Sequence, residues 1–216
     1  MKKAFSCALF VLILFSVTNA SAYVVSHRYV IPNTDYTIEV PWFISVISKN
    51  MTEYEPFIFE LDGSYEDAQA VMSNYTFDMV GTAATNSGMD YNFNFFVEVM
   101  KFDEPLSNPI NEMTDQQLES FANTMVDAYY DSHPTEKPYN EKQLYSIYNL
   151  EHTKSILFKT VHGENSVTEN YIILEKEYGF SISVDYEENN TYMEDKKVVT
   201  DILNSLKKDF MIYENL

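Results

Sequence analysis

The sequence is poor in cysteine and in basic residues. Its single cysteine, Cys7, lies near the N-terminus, so the rest of the chain has no thiol and no disulfide framework can form. Against 33 aspartates and glutamates stand 14 lysines and arginines, and no basic cluster is larger than pairs such as Lys196-Lys197 and Lys207-Lys208. Binding to a nucleic-acid backbone requires a basic stripe. The sequence therefore predicts no nucleic-acid partner.

The usual signatures of catalysis are also missing. The four histidines, His27, His133, His152 and His162, show neither the i, i+4 nor the His-x-His spacing of a metal site. No serine stands in a Gly-x-Ser-x-Gly elbow, and no cysteine nucleophile follows Cys7. We predict no catalytic, metal or cofactor-binding residue. The alternative stays open: an enzyme or metal-dependent carbohydrate-active protein with a site assembled from distant carboxylates.

The first 22 residues have the pattern of a bacterial signal peptide. Lys2 and Lys3 precede an apolar stretch over residues 4–17, and Ala20-Ser21-Ala22 is a small-residue cleavage signal. The apolar stretch is shorter than the roughly 20 residues that a membrane span needs, which disfavours an uncleaved anchor. We therefore expect a secreted or cell-surface protein that has no transmembrane segment once the signal is removed.

The remaining chain, residues 23–216, is predicted to be one acidic domain. Removal of the signal lysines leaves a net charge of −21. The full sequence holds 17 tyrosines, 15 phenylalanines and 10 methionines, too many apolar side chains for a disordered chain of this charge. This length is sufficient to bury a core without disulfides.

The C-terminal part has the clearest pattern. Residues 171–174 are apolar and residues 180–186 alternate between apolar and polar, which predicts an antiparallel hairpin connected by residues 176–179, where Gly179 is free to take a positive φ. A helix follows, in which Thr191 and Glu194 have capping-box spacing. Its apolar stripe consists of Val199, Ile202, Leu206 and Phe210.

The N-terminal half predicts strands and one short helix. Strands are expected at residues 36–40 and 42–47, on either side of Pro41, and we expect them to pair. Ser64 caps a helix whose predicted buried face holds Ala68, Val71, Met72 and Tyr75. Strands at 77–82 and 93–102 are expected to form a hairpin around Asn86-Ser87-Gly88.

The strand at 93–102 is apolar on both faces. Phe95 and Val97 alternate with Phe96 and Met100, and Glu98 is the polar exception. A strand of this kind requires cover on both sides. The pattern therefore predicts an α+β fold, an antiparallel sheet with helices packed on both faces.

A longer central helix is predicted next. Thr114 and Gln117 match a capping box, and the stripe that follows consists of Leu118, Phe121, Ala122, Met125 and Tyr129. Two further strands are expected at 144–150 and 155–161. Together with the C-terminal hairpin they make a meander.

This order of elements resembles the Mog1/PsbP-like fold group over about residues 30–210. The resemblance is carried by Ile38-Glu39-Val40-Pro41 and by Ile202-Leu203-Asn204-Ser205-Leu206, and it is nearest to uncharacterised secreted Firmicutes proteins of that type. It implies an α/β/α sandwich. Plant members support the photosystem II oxygen-evolving site and Mog1 binds a nuclear GTPase, so the resemblance implies a non-enzymatic binding or accessory role and transfers no functional residue.

Two features are candidate sites. Glu98 is a buried carboxylate at a site, or a partly exposed residue at the end of a strand, or the partner of a lysine such as Lys154 or Lys159. A second candidate is a platform of tyrosines near the central loop that would bind sugars or a protein partner. Its members are Tyr129, Tyr130, Tyr139, Tyr145 and Tyr148.

Adjacent acids such as Glu187-Glu188 and Glu194-Asp195 are expected to be solvated surface residues in a chain this acidic. Taken together, the sequence favours a secreted, non-enzymatic binding or accessory domain that contacts a protein or envelope component through its loops and its acidic surface. The sequence identifies neither the partner nor the oligomeric state.

Overall fold

The computed structural model describes residues 25–52, 64–83, 93–132, 145–162, 166–187 and 192–209. The predicted signal peptide, the predicted turn at Asn86-Ser87-Gly88 and the predicted cap at Thr191 lie outside these ranges. The elements, in chain order, are β1 (Ser26–Val30), β2 (Tyr36–Pro41), β3 (Ile44–Ser48), α1 (Tyr65–Asn74), β4 (Met79–Ala83), β5 (Phe93–Lys101), a 3-10 turn (Ile110–Glu112), α2 (Asp115–Ser132), β6 (Tyr145–Asn149), β7 (Lys154–His162), β8 (Ser166–Leu174), β9 (Tyr178–Glu187), α3 (Tyr192–Asn204) and β10 (Lys207–Lys208).

The described strands form two antiparallel sheets, so the fold is α+β and mostly sheet. The larger sheet has seven strands in the order β3-β4-β5-β9-β8-β7-β6. Its strands β6 to β9 follow one another as the predicted meander, and β5 pairs with β9 along its whole length. The smaller sheet has the order β1-β2-β10.

The large sheet has a core face and an outer face that differ in polarity. On the core face, Phe95 and Val97 of β5 lie opposite Val184 and Ile182 of β9, and all four side chains are buried. The small sheet packs against this core face, where the centroid of the Tyr36 ring lies 4.9 Å from that of the Phe180 ring. The alternating apolar pattern of these strands thus fills one continuous core.

The outer face of β5 is only partly covered. Met100 is 62% exposed and Glu98 is also exposed. Their neighbours on β9 are Gly179 and Ser181, and the same row continues to Ser183, opposite Phe96. The prediction that both faces of this strand are covered by helices is therefore not confirmed, because small and polar neighbours allow this row to face water.

The C-terminal hairpin is confirmed, with a shorter connection than predicted. Leu174 pairs with Gly179, and the Glu175 N–H donates to the Tyr178 carbonyl at 2.8 Å, so the turn occupies residues 175–177. Gly179 is an ordinary strand residue of β9, so its predicted place in the connection is wrong and its freedom to take a positive φ is not used. A Cβ at this glycine would lie 3.2 Å from Cζ of Phe102, which explains why a small residue fits here.

The prediction that the strands around Pro41 pair with each other is wrong. Both edges of β2 are occupied, one by β1 and the other by β10. After Pro41 the chain leaves the small sheet, and β3 pairs with β4 at the edge of the large one. The sequence pattern assigned residues 207–208 to the last helix, whereas α3 ends at Asn204 and these residues form β10.

The helix caps follow the sequence closely. Ser64 and Asp67 form a complete capping box at α1. At α2 the Gln117 N–H donates to Thr114 Oγ1 at 3.3 Å, and the Thr114 N–H donates to Gln117 Oε1 at 2.8 Å. These reciprocal bonds satisfy backbone donors that have no partner inside the helix.

The apolar stripes are only partly buried. On α1, Ala68 and Met72 are buried, but Val71 and Tyr75 are exposed, contrary to the prediction. On α3, Val199, Ile202 and Leu203 lie in the core, and Leu206 is buried just after the helix. Within the described ranges, none of the helices combines the length and the apolar character needed to cross a lipid bilayer.

Candidate functional site

An apolar groove lies on the outer face of the large sheet, beside α2. We call it the α2 groove, and it has a volume of about 390 Å³. It is built from the end of β5 and the loop after it, from α2, and from the β8–β9 hairpin. Its lining residues are Glu98, Val99, Met100, Phe102, Leu106, Phe121, Met125, Ile172, Leu174, Gly179, Phe180 and Ser181.

The groove exists because α2 is anchored by only part of its apolar stripe. Leu118 and Ala122 are fully buried, whereas Phe121 and Met125 are half-buried and form one wall of the groove. The lining also includes Gly179 and Ser181 of β9, which are small and leave the space unfilled. An apolar space of this size that opens to water is typical of a ligand-binding site.

The α2 groove continues into a more polar cavity of about 400 Å³. The two spaces share Leu106, Phe121 and Leu174. The second is lined in addition by Ser107, Asn108, Met113, Gln117, Ser120 and Thr124. One end of the combined cleft is thus apolar, and the other offers hydroxyl and amide groups for hydrogen bonding.

Glu98 is placed at this groove, although it is not a buried carboxylate. Its side chain is exposed, and across the ladder it lies opposite Ser181. Lys154, one of the lysines predicted to pair with it, instead lies with its Nζ 3.4 Å from Asp115 Oδ1 on α2. Lys159 pairs in register with Glu169 on β8. The exposed carboxylate is therefore available to a partner in the groove.

The structure does not place Tyr145 and Tyr148 on one surface. The Tyr145 hydroxyl donates to the Glu119 carbonyl of α2 at 3.4 Å. The Tyr148 hydroxyl lies 3.0 Å from Thr200 Oγ1 of α3, and its ring packs edge-on against that of Tyr171. The prediction of a shared platform is wrong for these two rings, because residues three positions apart on a strand point to opposite faces of the sheet. The side chains of Tyr129, Tyr130 and Tyr139 lie outside the described part of the chain.

Sequence reasoning missed a buried charged cluster on the core face. Glu169 is fully buried and accepts hydrogen bonds from Lys196 Nζ at 2.8 Å and from the Tyr171 hydroxyl at 2.6 Å. Burial, followed by the proximity of Tyr186, raises the pKa of Tyr171. A signal was present, because Glu169 interrupts the apolar row of β8 just as Glu98 interrupts β5.

Asp195 belongs to the same side of the fold. It is fully buried near the start of α3, so the prediction that the Glu194-Asp195 pair is solvated is wrong for Asp195. Glu194 is exposed, as predicted. A carboxylate in a first helical turn complements the helix dipole.

A second charged cluster surrounds Tyr36 at the β8–β9 turn. The Tyr36 hydroxyl donates to Glu175 Oε2 at 3.3 Å, and Lys208 Nζ lies 2.7 Å from Asp35 Oδ2. Burial raises the pKa of Glu175 and, together with the charge of Glu175, that of Tyr36. The hydrogen bond to Asp35 raises the pKa of Lys208. The first pair connects β2 to the hairpin, and the second connects β10 to the residue that precedes β2.

No group of three His, Cys, Asp or Glu side chains is placed to hold a metal ion among the residues that the structure describes. His27 lies exposed on β1 and His152 lies exposed between β6 and β7. His133 and the side chain of His162 are outside the description. Geometry therefore singles out the α2 groove, whose chemistry is apolar contact with one carboxylate at the edge.

No protein-family model matches the sequence. No curated protein matches it either. Among solved structures, a Bacteroides thetaiotaomicron protein is similar at 12% identity and a TM-score of 0.46, over 85% of this chain and 48% of that one, so this chain spans about half its length. Cyanobacterial PsbP from Synechocystis is similar at 9% identity and 0.46, over 88% and 96% of the two chains. The Saccharomyces cerevisiae Ran-binding protein Mog1p is similar at 9% identity and 0.44, over 86% and 96%.

Proposed function

We propose that this chain is a secreted, non-enzymatic binding domain of the bacterial envelope or exterior, and that it holds a protein or envelope component in the α2 groove. The observation that carries the proposal is the groove itself, a space of about 390 Å³ with apolar walls and an exposed rim. Sites that bind ligands are mostly apolar with a few polar groups that fix orientation. Glu98 and Ser181 are the polar groups here.

The proposed architecture is an α/β/α sandwich of the Mog1/PsbP type. Two contacts support it: α2 accepts a hydrogen bond from Tyr145, whereas α3 reaches Glu169 through Lys196. By strand alternation, Tyr145 and Glu169 lie in rows on opposite faces of the large sheet. The α2 groove would then be the incompletely packed seam of one helical layer.

An enzyme is the second candidate, and the place of Glu98 in a groove favours it. General acid–base catalysis commonly uses a pair of titratable groups. Among the described lining residues, however, Glu98 is the single carboxylate, and none is His, Cys, Lys or Arg. The geometry therefore suits recognition better than proton transfer.

A photo-crosslinking amino acid at position 100 tests the binding role. Met100 is 62% exposed at the groove, so a substitution there is compatible with folding. The matched control is position 75, where Tyr75 is 54% exposed directly after α1. Each variant would be produced in the native cells, irradiated and analysed by mass spectrometry.

We expect one discrete adduct at position 100 and none at position 75. An adduct with a protein or an envelope molecule supports a binding domain. If irradiation yields no adduct at position 100, or the same adducts at both positions, the groove is not the binding site. If the adduct identifies a small molecule that the protein converts to a product, and Glu98→Gln abolishes this conversion, the protein is instead an enzyme.

A further inference from the structure

The charges around the α2 groove are mainly negative. Glu98 lies at its edge, and the exposed Asp103 and Glu104 follow the lining residue Phe102 in the chain. By strand alternation Lys101 belongs to the other face of β5. The nearby described cations are the exposed Lys176 of the hairpin turn and Lys154, whose charge is paired with that of Asp115 on α2. With a net charge of −19 on the whole sequence, this rim attracts cations and repels anionic surfaces.

The walls are suited to a protein segment. Met100, Met125 and Phe121 are partly or largely exposed at the groove, and methionines adapt their shape to different apolar anchors. Two or three apolar side chains of a helix or an extended peptide can occupy a groove of this kind. In the adjoining polar cavity, Asn108 presents an amide group that a peptide backbone can bond.

We propose that the occupant of the α2 groove is an amphipathic segment of a protein, with apolar anchor residues beside at least one lysine or arginine. The anchors lie against Phe121, Met125 and Ile172, and the basic residue pairs with Glu98. This inference rests on the proposed binding function and specifies its partner class. Acidic polymers and anionic lipid surfaces are disfavoured by the carboxylates on the rim.

A phage-displayed library of 12-residue peptides, panned on the purified protein, tests the inference directly. We expect the enriched peptides to share two or more apolar residues at helical or alternating spacing next to Lys or Arg. The affinity of one enriched synthetic peptide would be measured by titration calorimetry at low and high salt. Binding that depends on the rim charges weakens as salt rises.

Matched variants separate the two parts of the contact. Met100→Lys should lower the affinity for the peptide by about tenfold, as for loss of an apolar anchor. Val71→Lys, at a 45% exposed position on α1, should leave this affinity unchanged. Glu98→Gln should weaken it by about twofold to fivefold, as for an exposed ion pair. Asp127→Asn removes an exposed charge from α2 without touching the lining and should leave affinity unchanged.

The outcomes distinguish the inference from the function beneath it. The inference is overturned, and the groove remains a binding site, in either of two cases. The peptides that bind less tightly to Met100→Lys lack basic residues, or their affinity is unchanged by Glu98→Gln. Crosslinking of a glycan or lipid at position 100 when no peptide is enriched has the same consequence. Peptides that bind equally well to the Met100→Lys variant, combined with no adduct at position 100, overturn both.

Discussion

At the scale of single residues, the core of the large sheet depends on a missing side chain at Gly81. This glycine lies opposite Phe95 on β5 and opposite Val46 on β3. A Cβ built on it would overlap the Phe95 ring. The aromatic ring therefore covers the glycine, which supplies the packing that the glycine lacks.

We predict that Gly81→Ala lowers the free energy of unfolding by about 1–3 kcal/mol, because the added methyl group overpacks a full core. Gly179→Ala should cost less, since its nearest neighbour, Phe102 Cζ, lies at 3.2 Å at the end of a half-buried side chain. Urea unfolding of both variants gives the comparison. In a Phe95→Leu background, Gly81→Ala should lower the free energy of unfolding by less than it does in the unsubstituted protein. If the loss is the same in both, the explanation by overlap with the ring is incorrect.

Two glutamates show how far residue patterns reach. Both Glu98 and Glu169 interrupt an apolar row, yet one is exposed and the other is fully buried. The difference lies in the partners: Glu169 meets Lys196, which is 27 positions away in the chain. A buried carboxylate requires such a partner. The sequence could therefore mark both positions but could not show which of them forms a surface site.

At the scale of elements, features that depend on neighbouring residues were predicted correctly, whereas the strand pairing of β2, which depends on residues far apart in the chain, was not. The caps at Ser64 and Thr114 depend on residues three positions apart, and both are confirmed. The partners of β2 depend on β10, about 170 residues later, so alternation in residues 36–40 could not reveal them. Strand existence follows from periodicity, whereas strand pairing is a property of the folded chain.

The stripe of α3 gives a prediction at this scale. Ile202 is 2% exposed and belongs to the core cluster together with Val199 and Leu203. We predict that Ile202→Asp abolishes cooperative folding, because an unpaired buried charge costs about 3 kcal/mol or more. Lys197→Asp, at an exposed position of the same helix, should remain folded.

Circular dichroism and thermal unfolding provide the measurement. Loss of near-ultraviolet signal in Ile202→Asp, with retention in Lys197→Asp, is the expected result. A soluble, cooperatively unfolding Ile202→Asp would show that α3 does not pack as described. Loss of folding in both variants would indicate that helix charge, rather than burial, decides stability.

At the scale of the whole molecule, ion pairs of lysine and arginine side chains hold β10, the last described strand, in place. Lys207 reaches Glu39 at 2.9 Å, Lys208 reaches Asp35 at 2.7 Å, and Arg28 reaches Asp209 at 3.0 Å. These contacts connect β10 to β2 and β1, beside the buried hydroxyl of Tyr36. Three of the 14 basic residues of the sequence therefore lie where the two ends of the described chain meet.

This arrangement makes stability sensitive to alkali. In the folded protein, burial raises the pKa of Tyr36 above its ordinary value of 10.0, and the bond to Asp35 raises that of Lys208 above 10.5. Above these ordinary values the unfolded chain releases protons that the folded chain retains. The unfolded state then binds fewer protons, so the free energy of unfolding falls as pH rises.

We predict that the denaturant midpoint decreases from pH 9 to pH 11.5, and that Tyr36→Phe decreases less steeply, since phenylalanine has no proton to release. Removal of the hydrogen bond to Glu175 lowers stability at pH 8, so the slopes with pH, rather than the midpoints, are compared. Tyr75→Phe, at an exposed position, is the control and should follow the unsubstituted protein. General repulsion in a chain of net charge −19 lowers all the curves together. Parallel curves for Tyr36→Phe and the unsubstituted protein would therefore exclude the Tyr36 hydroxyl and assign the alkaline loss to overall charge or to other groups with a raised pKa, such as Tyr171.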